Sequence, residues 1–143
     1  MMRRWRMICA GVAALAGTGA ITAAVPDPGA SVALSRIERG QYEIKVVGSE
    51  APGRSVCIAD AAMLLQMQHP GAACTRLVMA DSPDSTTVNY TCSSGGHGRT
   101  VVTITTPRSF DIDTQGIASG APFDLNYQGR RVGPCPARST ASR

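Results

Sequence analysis

Five cysteines, at positions 9, 57, 74, 92 and 135, restrict this 143-residue chain more than any other feature. An odd count is awkward for a disulfide framework, so the setting of Cys9 comes first. It lies in MMRRWRMICAGVAALAGTGAITAA, residues 1–24, where Arg3, Arg4 and Arg6 precede an apolar stretch and Thr22-Ala23-Ala24 ends it with small residues. Basic start, apolar middle and small-residue exit read as a secretory signal peptide cut after Ala24. The competing reading is an uncleaved anchor, because Met7–Ala24 spans eighteen residues, near the lower limit for a spanning helix. Its many Gly, Ala and Thr residues make it weakly hydrophobic for that role. Cys9 stands near the start of the stretch rather than at its end, where lipidation would need it. Arg6 occupies a position where twin-arginine export prefers an apolar residue, so general secretion to the periplasm or beyond is expected.

Cys57, Cys74, Cys92 and Cys135 remain. An even number in an exported chain implies two disulfides, with three possible connectivities. Zinc is the rival, but neither Cys-x-x-Cys nor His-x-x-x-His spacing occurs. Local pattern favours one pairing. Residues 74–80 and 86–92 read as strands on either side of the turn cluster Asp81-Ser82-Pro83-Asp84-Ser85. A hairpin folded symmetrically about Pro83 sets Val78 against Val88, Arg76 against Tyr90 and Cys74 against Cys92. Directly opposed residues have close Cβ atoms, as a disulfide requires. Cys57 and Cys135 are then left for each other, closing most of the domain.

Charge gives a similar result. The formal +4 comes from fourteen basic and ten acidic residues. Removing Arg3, Arg4 and Arg6 with the signal leaves eleven against ten, a net +1. Trp5 leaves as well, and the remaining aromatics are Tyr42, Tyr90, Phe110, Phe123 and Tyr127. Phosphate-backbone recognition draws on a concentrated basic face, and single-strand binding adds stacking aromatics. Composition offers neither, so nucleic acid is excluded as a partner. Any membrane association is expected through the export signal alone.

Along the mature chain, Pro26, Pro28 and Gly29 mark residues 25–34 as a flexible leader. Tyr42, Ile44 and Val46 alternate with polar neighbours, as on a half-buried strand. A short strand is expected near residues 55–59. Asp60 suits an N-cap for a short helix over about 61–68, with Met63, Leu64 and Met67 as its buried stripe. His69-Pro70-Gly71 ends that helix. Residues 100–106 are rich in Thr, Val and Ile, which favour strands. Phe110, Ile112 and Thr114 alternate with Asp111 and Asp113, and Phe123, Leu125 and Tyr127 with Asp124, Asn126 and Gln128. The pattern predicts a single mainly β domain over residues 35–135: an antiparallel curved meander or partial barrel of about six strands with one short helix and two disulfides. Residues 136–143 read as a mobile tail, and the domain as a monomer.

Several groups of residues also resemble a known family. They are Gly40-x-Tyr42-x-Ile44, Cys57, His69-Pro70-Gly71-x-x-Cys74, Tyr90-Thr91-Cys92, Gly96-His97-Gly98-Arg99-Thr100, Ile112-Asp113-Thr114-Gln115-Gly116-Ile117, Gly120-Ala121-Pro122-Phe123 and Arg131-x-Gly133-x-Cys135. Together, over about residues 36–135, they resemble a bacterial domain-of-unknown-function family, number thirty-six-seventeen, of small exported proteins. The resemblance implies an exported, disulfide-bearing domain and supplies no reaction.

Residues 93–100 superficially suggest a phosphate cradle, but a P-loop needs Gly-Lys-Ser/Thr opening a helix, and here a β run follows. A glycine-rich hairpin turn is the better reading. His97 has no Gly-x-Ser-x-Gly elbow or orienting acid beside it, and His69 also adjoins turn residues, so both read as structural. Asp111 and Asp113 share a strand face that Asp124 could approach, which would suit paired-carboxylate or cation chemistry. A solvated face, with Arg108, Arg130 and Arg131 as partners, explains them as well. Arg76 opposite Tyr90 would make either a ligand-contacting patch or a stacked pair. Met63, Met67 or Met79 could line a pocket between helix and sheet, although a small domain needs such side chains for packing.

No catalytic, metal-binding or cofactor-binding set emerges, and His97, Arg99, Arg76 and Tyr90 are the ligand candidates. The expected role is a non-catalytic exported domain that binds a protein or a small apolar ligand, or that supports the envelope. The alternative is a periplasmic inhibitor of a cell-wall-degrading enzyme, resembling lysozyme inhibitors.

Overall fold

The period-two alternation of the sequence is realised in seven strands. The computed structural model describes residues 31–137. Within them lie β1 (Gly40–Val46), β2 (Arg54–Ile58), β3 (Cys74–Asp81), β4 (Ser85–Cys92), β5 (His97–Thr106), β6 (Ser109–Ala118) and β7 (Ala121–Gly133). They form one antiparallel sheet in the order β2-β1-β7-β6-β5-β4-β3. Strands β3 to β7 are the expected meander. The sheet is open, with β2 and β3 as its two edges. The residues expected to form the signal peptide, and the tail beyond Ala137, lie outside the described residues.

One face of the sheet is the core. Tyr42, Val88, Val102, Phe110 and Ile112 are buried on it, all at the inward positions of their strands' alternation. The opposite face carries Lys45, Thr103, Asp113, Asn126 and Arg99, all exposed to solvent. This is the inside/outside division an antiparallel sheet makes when only one side is covered.

The cover comes from two 3-10 helices, η1 (Leu34–Arg36) and η2 (Ala61–Gln66). Because β2 and β3 are opposite edges, the chain joining them must cross the sheet, and η2 packs into the inner-face core as part of that crossing. Asp60 caps it as expected, its Oδ1 accepting from the Ala62 amide at 2.9 Å. Two features of the expected helix are corrected. It is a 3-10 turn ending at Gln66, and its buried residues are Leu64 and Leu65 rather than Met63, which is 41% exposed. A tighter turn with three residues per repeat brings a different pair onto the inward side.

The segment from Ser31 to Leu34 packs against the sheet domain. Ala33 and Leu34 are buried. Asp81 holds this segment: it accepts from Ser31 Oγ at 2.6 Å and from the Val32 amide at 2.7 Å. Burial alone would push the Asp81 carboxyl up, but these bonds, with those from Thr86 and the Ala33 amide, outweigh it and hold the group below its usual 3.8.

Both disulfides form as the cysteine pattern predicts, Cys74–Cys92 and Cys57–Cys135. The hairpin register is the one obtained by folding about Pro83: Cys74 pairs with Cys92, Arg76 with Tyr90 and Val78 with Val88. Met79 then breaks it. A β-bulge between Val78 and Ala80 shifts the last pairs to Ala80–Thr87 and Asp81–Thr86.

Candidate functional site

The structure separates the four ligand candidates. Arg76 and Tyr90 are register neighbours, and Tyr90 is buried on the inner face. His97 and Arg99, exposed at the start of β5, pair in register with Ile117 and Gln115 of β6. Asp111 and Asp113 occupy other rows of the outer face, opposite Thr103 and Val101. Thr105 and Gln128 donate to Asp111, at 3.0 and 3.1 Å. Two of the three arginines expected to pair with these aspartates turn elsewhere: Arg108 and Arg131 reach Glu38, at 3.2 and 3.8 Å. Among the described residues no three His, Cys, Asp or Glu side chains gather as metal ligands would.

Tyr90 serves the core instead. His69, also buried, places Nδ1 3.1 Å from the Tyr90 hydroxyl and Nε2 3.1 Å from the Ile117 carbonyl. A carbonyl only accepts, so Nε2 carries the proton and Nδ1 accepts from Tyr90. Burial pushes the Tyr90 phenol up, and a hydrogen bond from Thr114 partly offsets this. Thr114 in turn meets the buried Thr100 hydroxyl at 2.8 Å. This chain gives the Gly96–Gly98 motif its explanation. A Cβ at Gly96 would enter the His69 ring, and one at Gly98 would enter the Tyr90 ring. Of the turn glycines only Gly95 has positive φ, at 92°, so the expected hairpin turn holds but two of its glycines answer to packing.

A cleft of about 370 Å³ opens beside η2. Ile44, Val56, Met63, Leu64 and Met67 supply its apolar surface. Arg54 enters from one edge strand and Arg76 from the other. Gln66 fixes Arg76. Its amide nitrogen donates to the carbonyls of Ala72 and His69, at 3.0 and 3.3 Å, which turns its oxygen outward. Arg76 then donates to that oxygen from Nε at 3.1 Å and Nη2 at 2.7 Å. Arg54 is exposed and makes no ion pair among the described residues. The cleft thus joins adaptable methionine and aliphatic surface to two guanidiniums, Arg76 fixed by Gln66 and Arg54 open to solvent, with the Asp60 carboxylate also in its lining. Sequence reasoning named Arg76, Met63 and Met67 separately. It missed Arg54, because only the strand order brings β2 and β3 to one cleft.

A cavity of about 440 Å³ on the outer face has a different character. Its charged and polar groups largely satisfy one another: Lys45 meets Glu43 at 3.0 Å, and Asp111 has the two donors named above. The η2 cleft is therefore the stronger candidate for an amphiphilic ligand.

Fold and covalent frame together define a two-disulfide domain built on a single open antiparallel sheet. The chain belongs to the family described as "Protein of unknown function (DUF3617)", which it matches over residues 37–135. Neither a curated protein nor a solved structure matches it significantly. The disulfides point to an oxidising, non-cytoplasmic setting, and no helix among the described residues is long and apolar enough to cross a membrane.

Proposed function

We propose that this chain is an exported, non-catalytic binding domain whose η2 cleft takes a small amphiphile. The apolar body would lie against Val56, Met63 and Met67, and an anionic end would face Arg54 and Arg76. The observation that carries this reading is the joining of apolar surface to two guanidiniums in one cleft of about 370 Å³, within the range of small-molecule sites. The basic start, apolar stretch and small-residue exit of residues 1–24 support export to the periplasm or beyond. A binding role also suits the histidines: His69 has both ring nitrogens engaged in the core, and His97 stands apart from the aspartates.

Native mass spectrometry of the oxidised protein with added decanoate tests the proposal. A one-to-one adduct on the monomer is expected, weakened about tenfold in Arg54→Glu, which corresponds to about 1.4 kcal/mol. Arg54 is exposed, so its replacement leaves the fold intact. No adduct, or equal adducts in both proteins, would contradict it.

A further inference from the structure

The near-neutral mature composition conceals a local concentration of positive charge. Strand β7 runs past its last pairing with β6, Arg130 against Ser109, and continues as Arg131–Gly133 beside the β5–β6 turn. A concavity of about 440 Å³ lies there, lined by Thr106, Arg108, Ser109, Arg130, Arg131 and Val132, with Gly133. Three guanidiniums thus border one shallow site.

One of them is held in place, and a second makes an exposed ion pair. Arg131 is only 17% exposed in its side chain, and its Nε donates to the Arg39 carbonyl at 3.0 Å. It also lies against Gly40, where a Cβ would collide with it. Arg108 Nε meets Glu38 Oε2 at 3.2 Å, and Arg131 Nε approaches the same oxygen at 3.8 Å. Both contacts use Nε, leaving the terminal nitrogens of Arg108 and Arg131 without protein partners among the described residues. Arg130 is exposed, and Glu43, its register partner across β1, is engaged by Lys45. Glu38 therefore meets two of the three arginines, and the carboxylate across from the third is shared with Lys45. The Thr106 and Ser109 hydroxyls, 2.7 Å apart, share one hydrogen bond and leave one neutral O–H donor between them, and Thr106 Oγ1 receives the Arg108 amide at 3.1 Å.

From this arrangement we infer a second binding site, separate from the η2 cleft, for a phosphate group. Several fork-shaped donors around a small concavity match a tetrahedral oxyanion, which arginine engages with two parallel hydrogen bonds. The phosphate is either free or the headgroup of an anionic phospholipid, and the chemistry recognised is the same.

The test uses the oxidised mature protein with inorganic phosphate, against chloride at matched ionic strength. Amide shifts of Thr106 and Ser109 and Nε–Hε shifts of Arg108 and Arg131 are read by NMR. A second arm measures flotation with phosphatidylcholine vesicles, with and without phosphatidylglycerol. Expected is saturable phosphate binding, or flotation that requires phosphatidylglycerol, and at least a tenfold loss of either in Arg108→Gln/Arg130→Gln. The first result assigns free phosphate as the source, and flotation assigns the headgroup. Both replaced side chains are exposed, so the melting temperature should hold. Arg108→Lys/Arg130→Lys keeps the charge without the fork and should bind with intermediate strength. Binding unchanged in the glutamine variant, or the absence of both saturation and flotation, would overturn the proposal.

Discussion

The two faces of the sheet share one backbone and differ in almost everything else. On the inner face Tyr42, Phe110 and Ile112 are nearly inaccessible, and glycines are placed where rings need room. A Cβ at Gly129 would enter the Phe110 ring, so this glycine creates the space that its aromatic neighbour fills. The outer face is a lattice of polar pairs open to water, with charged groups such as Lys45 and Glu43 in contact across it. Burial makes the inner face intolerant of change, whereas the outer face and the rims are free to carry recognition. Both proposed sites lie at such margins, one at the edge strands and one at the sheet's end.

Substitutions can break or sharpen that contrast. Phe110→Ala should cost about 3–5 kcal/mol in denaturant unfolding, the range for deleting a buried ring. Opening Cys57–Cys135 by paired serine substitution comes next. Its ends are 78 residues apart, so chain entropy assigns it about 4 kcal/mol, against about 3 for Cys74–Cys92 with a separation of 18. Unfolding midpoints of the two paired-serine proteins check the order, and a larger loss from the hairpin bond would contradict it. Gly129→Ala should cost about 1–3 kcal/mol by overpacking Phe110. Asp113→Asn, exposed on the outer face, should stay within about 0.5 kcal/mol.

The smallest effect is a pH dependence at Asp81. Its carboxyl titrates lower in the folded protein than in the unfolded chain. The contribution is thus fully present above the unfolded value and is lost as pH falls through the folded one. Melting curves of the protein and of Asp81→Asn should differ at neutral pH and converge in acid. A constant gap would show that the carboxylate does not anchor residues 31–34.

How far the sequence discloses this molecule depends on the distance over which a feature is encoded. The Cys74–Cys92 hairpin is local, and a symmetric fold about Pro83 yields its register. The Met79 bulge inside it is invisible, because no residue pattern marks where an extra residue is absorbed. Alternation identifies the strands but not that β7 returns to β1, which is the pairing that makes Cys57–Cys135 possible. Spacing finds the turn after Asp60 and its buried Leu64, while the tighter winding turns Leu65 inward and Met63 outward. Composition sees one net positive charge spread over residues 25–143, whereas the fold gathers Arg108, Arg130 and Arg131 at one concavity. Tyr90 and Gly98 carry a signal that could be read in advance, a ring opposite a glycine, once the β4–β5 register is known.

Methionine methyl resonances test the central claim most directly. Residues 25–143 contain three methionines: Met63 and Met67 line the η2 cleft, and Met79 sits at the β3 bulge outside it. Titrating the oxidised, methyl-labelled protein with decanoate should move the Met63 and Met67 signals along a saturable curve and leave Met79 still. If all three move together, or none saturates, the cleft is not a binding site.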